Sequence, residues 1–178
     1  MRLLLVLLIS IFGLTSVKAQ LIYIPGDTVR GKKVSYYCTK RSDLVIQVRN
    51  TQNVDSLGKM YFDNGKVVPP SYLSSEYNFE FKEFIQAFKD ALTREELNQL
   101  KGEIGFFQVN VVADKIGNAL ELEFVFFAND AVLSKFAPDR LFQLETKLKK
   151  LLKLKVSERD RKIKNLKYVI SISFRKDL

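Results

Sequence analysis

The chain has 178 residues, with 29 Lys and Arg against 20 Asp and Glu, one cysteine, and neither histidine nor tryptophan. Without histidine there is no Ser-His or Cys-His nucleophilic machinery, no His-bearing zinc site and no imidazole general base. A single thiol, Cys38, builds no thiolate metal site and no internal disulfide, so the core must hold the fold unaided.

Residues 1–19 have the layout of a secretory signal. Arg2 supplies the positive start, residues 3–14 form an apolar run broken by Ser10 and Gly13, and Val17-Lys18-Ala19 precedes Gln20. The run is about a dozen residues, short of the ~20 that a helix needs to cross the hydrocarbon core. Position 20 is glutamine, whereas a lipoprotein signal would place cysteine there. Cleavage after Ala19 is therefore expected, leaving residues 20–178 as one exported domain, periplasmic or secreted. Its single cysteine suits a bacterial envelope better than an animal secretory route. Without Arg2 and Lys18 it keeps 27 basic residues against 20 acidic ones, a net charge of +7.

Residues 20–72 read as short strands and turns. Residues 34–37 and 44–48 are β-rich runs separated by Thr39-Lys40-Arg41-Ser42. Asp63-Asn64-Gly65, between Met60-Tyr61-Phe62 and Val67-Val68, signals a hairpin because Asn-Gly adopts positive φ at little cost. Pro69-Pro70 ends any strand, since proline donates nothing to a ladder. Residues 78–102 read as helical. Asn78 is the expected N-cap, and Phe81, Phe84, Ile85, Phe88 and Leu92 recur at helical spacing as one apolar stripe. Thr93 with Glu96 forms a capping box that starts a second helix running to Gly102.

Residues 103–178 give the clearest pattern. Phe107, Val109, Val111 and Ala113 alternate with Gln108, Asn110 and Val112; after a turn at residues 115–118, Leu120, Leu122, Phe124 and Phe126 alternate with Glu121, Glu123 and Val125. This two-residue period predicts an antiparallel hairpin with one apolar face and one solvated face. Pro138 opens a helix whose stripe is Leu141, Leu144, Leu148, Leu151 and Leu152. Residues 157–165 read as a charged connection, and Leu166, Tyr168, Ile170, Ile172 and Phe174 as a last strand. The expected fold class is α+β: an antiparallel sheet with helices on one face and a C-terminal β-β-α-β unit.

On these residues, the stretch 104–174 resembles the C-terminal domain of TonB-like periplasmic proteins. The shared features are Phe107-Gln108-Val109-Asn110-Val111, Gly117, residues 120–124, residues 141–152 and residues 169–174. The resemblance implies a periplasmic module that pairs a partner's strand with its sheet edge. The Trp-x-Pro segment usual before the closing strand in that family has no counterpart in a chain without tryptophan, and no functional residue is carried over. Exported Gram-negative proteins of unknown function share this general pattern.

Few residues suggest chemistry. Ser56-Leu57-Gly58-Lys59 has the spelling of a Ser-x-x-Lys nucleophile without the accompanying motifs or a large enough fold. Gly102-Glu103-Ile104-Gly105 is too sparse for a phosphate loop, and Asp63-Asn64-Gly65 lacks the further carboxylates of a calcium loop. Glu121 and Glu123, about 7 Å apart by strand rise, have the spacing of a glycosidase pair but are expected to alternate on a solvent face. Cys38 is expected to be buried as a small hydrophobe. No cofactor is expected. The strongest feature is a basic run: Lys147, Lys149, Lys150, Lys153, Lys155, Arg159, Arg161, Lys162 and Lys164. Its plainer reading is a solvated helix face, with lysines favoured at a helix C-terminus by the dipole; its functional reading is a polyanion-binding surface for an anionic glycan or lipid, while nucleic acid is disfavoured because no aromatic residue interleaves the run. The function expected is a non-enzymatic binding or interaction module of the cell envelope, acting on an envelope protein through a sheet edge or on a polyanion through the basic run. The alternatives are a structural or assembly oligomer and a small carboxylate hydrolase.

Overall fold

Strands β1 (Thr28–Arg30), β2 (Ser35–Lys40) and β3 (Val45–Asn50) open the fold. A short β4 (Glu76–Tyr77) follows, then helices α1 (Phe81–Lys89) and α2 (Arg94–Lys101). The chain continues with β5 (Phe106–Ala113), β6 (Ala119–Phe127), α3 (Pro138–Leu151), β7 (Leu154–Lys155), β8 (Leu166–Ser173) and a last turn of helix, α4 (Phe174–Asp177). The computed structural model describes residues 21–55 and 58–178, so the expected signal peptide and Ser56-Leu57 lie outside the described residues. Among the described residues no helix is long and apolar enough to cross a membrane.

Six strands form one antiparallel sheet in the order β1-β2-β3-β6-β5-β8, and β4 pairs with β7 in a separate ribbon. The predicted β-β-α-β unit is therefore β5-β6-α3-β8, with β5 between its two partners. All the helices lie on one face of the sheet, where α1 packs on α3 and α3 on β6. The layers are joined by a run of rings. Phe174 stacks on Phe88 at 6.1 Å, Phe88 on Phe107 at 4.6 Å, Phe107 on Phe124 at 5.6 Å, and Tyr36 tilts against Phe124 at 6.4 Å. Residues from α4, α1, β5, β6 and β2 thus share one buried aromatic column, a large apolar area removed from water. Cys38 lies in the same core, fully buried, and burial pushes its thiol pKa up to about 11.

One polar island interrupts this layer. Glu145 of α3 is buried and accepts from the Tyr36 hydroxyl at 2.6 Å, the Asn50 amide at 3.2 Å and Lys149 Nζ at 2.8 Å. Burial, then the Glu145 charge and hydrogen bond, push the Tyr36 hydroxyl pKa far above its ordinary value.

Local expectations and structure part at three places. Helix α1 begins at Phe81 without a side-chain cap, because the Asn78 N–H donates to the Lys153 carbonyl and keeps residue 78 with the β4–β7 ribbon. The expected hairpin at residues 60–68 shrinks to one bridge, Tyr61 with Val67, around Gly65 at φ +81°. Its outer edge is taken by residues 162–164, through Asp63 N–H to the Lys162 carbonyl and Lys164 N–H to the Tyr61 carbonyl. The charged connection is therefore a strap that buries Ile163 and Asp160. Asp160 Oδ2 accepts from the Ser74 and Ser75 N–H groups and the Ser75 hydroxyl; burial raises its pKa, but these donors outweigh burial and hold it below the usual carboxylate range. Two other local signals stand. Thr93 and Glu96 make the reciprocal capping box. Gly117 sits at φ +92°, where an added Cβ would lie 2.1 Å from the Leu154 carbonyl oxygen, so a side chain is excluded.

Candidate functional site

The face of the sheet away from the helices carries a row of paired residues running through five strands: Tyr37, Arg49, Glu123, Asn110 and Val169. Its neighbour row is Thr39, Gln47, Val125, Gln108 and Ser171. The solvated face expected from alternation is corrected here: Asn110, Glu123 and Val125 are buried, at 2%, 3% and 2% exposure. Long side chains of β3 reach Glu123, and one from β5 itself reaches Asn110. Gln47 Nε2 donates to Glu123 Oε2 at 2.6 Å, Arg49 Nε lies 3.6 Å from Glu123 Oε1, and Gln108 Nε2 donates to Asn110 Oδ1 at 2.7 Å.

Glu121 and Glu123 divide into two structural tasks instead of forming a catalytic pair. Glu121 accepts from the Val54 N–H at 2.7 Å and the Asp55 N–H at 3.0 Å, fixing the segment after β3 against β6. Glu123 is enclosed, and burial raises its carboxyl pKa above the usual range despite the opposing pull of Arg49, Arg41 and Lys167, with Glu121 adding to the rise.

Beside Asn110 the face opens into a cleft of about 480 Å³ between β8 and the segment of residues 58–70. Arg41 reaches it from the β2–β3 turn, Lys59 from the overhanging segment and Lys167 from β8, with Gln108 and Asn110 among its polar residues. Met60, Val67, Val68 and Val169 are among the apolar ones. Lys167 Nζ lies 3.4 Å from the carbonyl oxygens of Gly58 and Lys59, tying the overhang to β8.

The cleft borders an open sheet edge. The Phe174 N–H donates to the Gly105 carbonyl, and from that pair the antiparallel alternation directs the backbone of Ile172, Ile170 and Tyr168 toward β5. The backbone groups of Lys167, Val169, Ser171 and Ser173 consequently face outward. Among these groups, the Val169 carbonyl accepts from Tyr77 Oη at 3.2 Å, and the Ser173 N–H donates to Asp177 Oδ2 at 2.8 Å.

The structure spreads the predicted basic run over several surfaces. Lys147 pairs with Asp90 at 2.6 Å and, through that hydrogen bond, lowers the Asp90 pKa. Lys149 is spent on buried Glu145. Arg159 lies over the Tyr72 ring at 4.5 Å, donates to the Tyr72 carbonyl and approaches Asp160 at 3.8 Å. Lys150, Lys153, Lys155, Arg161, Lys162 and Lys164 are exposed and make no salt bridge among the described residues. Sequence reading missed Arg41, Lys59 and Lys167 as a group. They are isolated in the chain, and only the pairing of β3, β6, β5 and β8 brings them together.

The sequence matches no protein-family model and no curated protein. The fold is similar to the crystal structure of a DUF5043 family protein from Bacteroides uniformis ATCC 8492, with TM-score 0.72, 17% identity, and coverage of 89% of this chain and 91% of that one. At that identity the likeness shows a shared α+β fold. The neighbour's designation, a domain of unknown function, indicates no catalytic family.

Proposed function

We propose that this chain is an exported, non-enzymatic interaction module of a bacterial cell envelope, which takes up an extended segment of a partner protein along the edge of β8. The observation that carries this reading is the state of that edge. Tyr77 and Asp177 satisfy one outward group each, while the N–H of Val169 and both backbone groups of Ser171 point outward between them. An eight-residue edge strand of this kind is a template for a further strand, with main-chain hydrogen bonds giving affinity. The signal-like residues 1–19 support export, and the lack of histidine supports a non-enzymatic role.

The test replaces Ser171 with proline. That removes an outward N–H without touching the β5 ladder, a change that edge strands tolerate. A photo-crosslinker at Val169 in producing cells is expected to give a discrete adduct with an envelope protein, and Ser171→Pro is expected to abolish it while thermal unfolding stays unchanged. An adduct that survives Ser171→Pro overturns strand addition, and an adduct with a second copy of this chain moves the reading to an assembly component.

A second reading, polyanion binding, is supported by the six exposed basic residues that make no ion pair among the described residues. Salt-sensitive heparin binding lost on charge reversal of Lys150, Lys153 and Lys155 is its expected signature; binding untouched by that change removes it.

A further inference from the structure

The cleft on the helix-free face is independent of strand addition, since it is made by side chains above the sheet and not by the backbone edge. We propose that it binds a small amphiphilic anion, a ligand with one anionic head on an apolar body. Three features of the cleft lead there.

The first is charge. Arg41, Lys59 and Lys167 line it from three separate parts of the chain, and among the described residues no carboxylate lines it. Of the neighbouring acids, Glu123 lies one strand away and is already engaged by Arg49 and Gln47, and Asp55, which lines an adjoining small cavity with Lys59 and Lys167, accepts from the Asn165 amide. Glu121 is likewise held, by the amides of residues 54 and 55. Arg41, Arg49, Lys59 and Lys167 therefore outnumber the acids around the cleft. Lys167 also ties down the overhang, so Arg41 and Lys59 are the groups offered to a ligand head. A guanidinium beside an ammonium recognises a carboxylate or a phosphate by charge-assisted hydrogen bonds.

The second is apolar surface. Val67 and Val169 are 48% and 49% exposed, and both lie in the cleft with Met60 and Val68. Val68 is already buried, so a ligand body lodged in the cleft removes chiefly the half-exposed Val67 and Val169 side chains from water. The third is size. A volume of about 480 Å³ falls within the roughly 300–1,000 Å³ of small-molecule sites, which combine mostly apolar walls with a few placed polar groups.

The experiment uses dodecanoate as the probe, with 1-dodecanol and inorganic phosphate as its two halves, measured by calorimetry on the folded protein. Dodecanoate is expected to bind at least about tenfold more tightly than dodecanol, the worth of one charge-assisted contact. Inorganic phosphate is expected to compete weakly, for want of an apolar body. Arg41→Glu with Lys59→Glu should weaken dodecanoate by about tenfold or more. Lys150→Glu with Lys153→Glu, on the separate basic run, should leave it unchanged. Val67→Asp should weaken it without moving the thermal transition, because Val67 is half exposed. Equal affinity for dodecanol and dodecanoate, or equal loss from the Lys150 and Lys153 reversal, overturns the site. Ser171→Pro is expected to leave dodecanoate binding intact, so failure of strand addition and failure of this cleft are read separately.

Discussion

The two faces of the sheet each hold one buried glutamate, and they treat it differently. On the helix-covered face, Glu145 is an island in an aromatic layer, with a hydroxyl, an amide and an ammonium donating to it from β2, β3 and its own helix. On the helix-free face, Glu123 belongs to a polar row and is roofed by arginine and glutamine side chains instead of a second layer of structure. The first face gains its stability from ring packing and pays for one carboxylate with complete hydrogen bonding. The second is held by polar side chains, of which the bonded pair Gln108 and Asn110 also bounds a cleft. Close packing leaves a core no spare functional groups, whereas a roof of long polar side chains does.

The largest test of this contrast is in the aromatic column. Phe107→Ala is expected to cost roughly 3–5 kcal/mol in urea unfolding, the range for a large buried ring. Phe106→Ala, one residue away on the other face and half-buried against Phe127 at 4.9 Å, should cost less than half as much. Equal losses would mean that the helix-free face packs like a core.

Next comes Glu145→Ala, which leaves the Tyr36 hydroxyl and Asn50 amide buried without their acceptor. An expected loss of about 3 kcal/mol follows from stranding those donors. Glu145→Gln, which keeps an acceptor, should recover part of it.

The smallest effect is read as a pH dependence. Burial raises the folded-state pKa of Glu123 above its unfolded value. Its contribution is therefore fully present below the unfolded carboxylate value of about 4.3, and is lost as pH rises through the folded value. Glu123→Gln removes that titration, so its stability relative to the unsubstituted protein should rise between about pH 4 and pH 7. A relative stability that falls over that window would show the ion pair with Arg49 outweighing burial.

Much of the architecture was legible in the sequence because its signals are local. The Thr93–Glu96 box, the Pro138 helix start and the alternation in β5 and β6 each depend on residues within a few positions of one another. Boundaries failed where a distant partner intervened. Asn78 reads as a cap by type, yet its N–H is claimed by Lys153, 75 residues further along the chain. The basic run was legible as composition, but its division into paired residues such as Lys147 and exposed ones such as Lys153 depends on which carboxylates the fold brings near.

By itself, then, the sequence determined the fold class, the β-β-α-β order and the apolar face of each element, because side-chain period follows from backbone geometry alone. Tertiary structure decided that the polar face of β5 and β6 is also buried, that Glu121 and Glu123 are anchors, and that Arg41, Lys59 and Lys167 share a cleft. The reason is that period assigns a residue to a side of its own strand, whereas cover and convergence depend on which strands become neighbours.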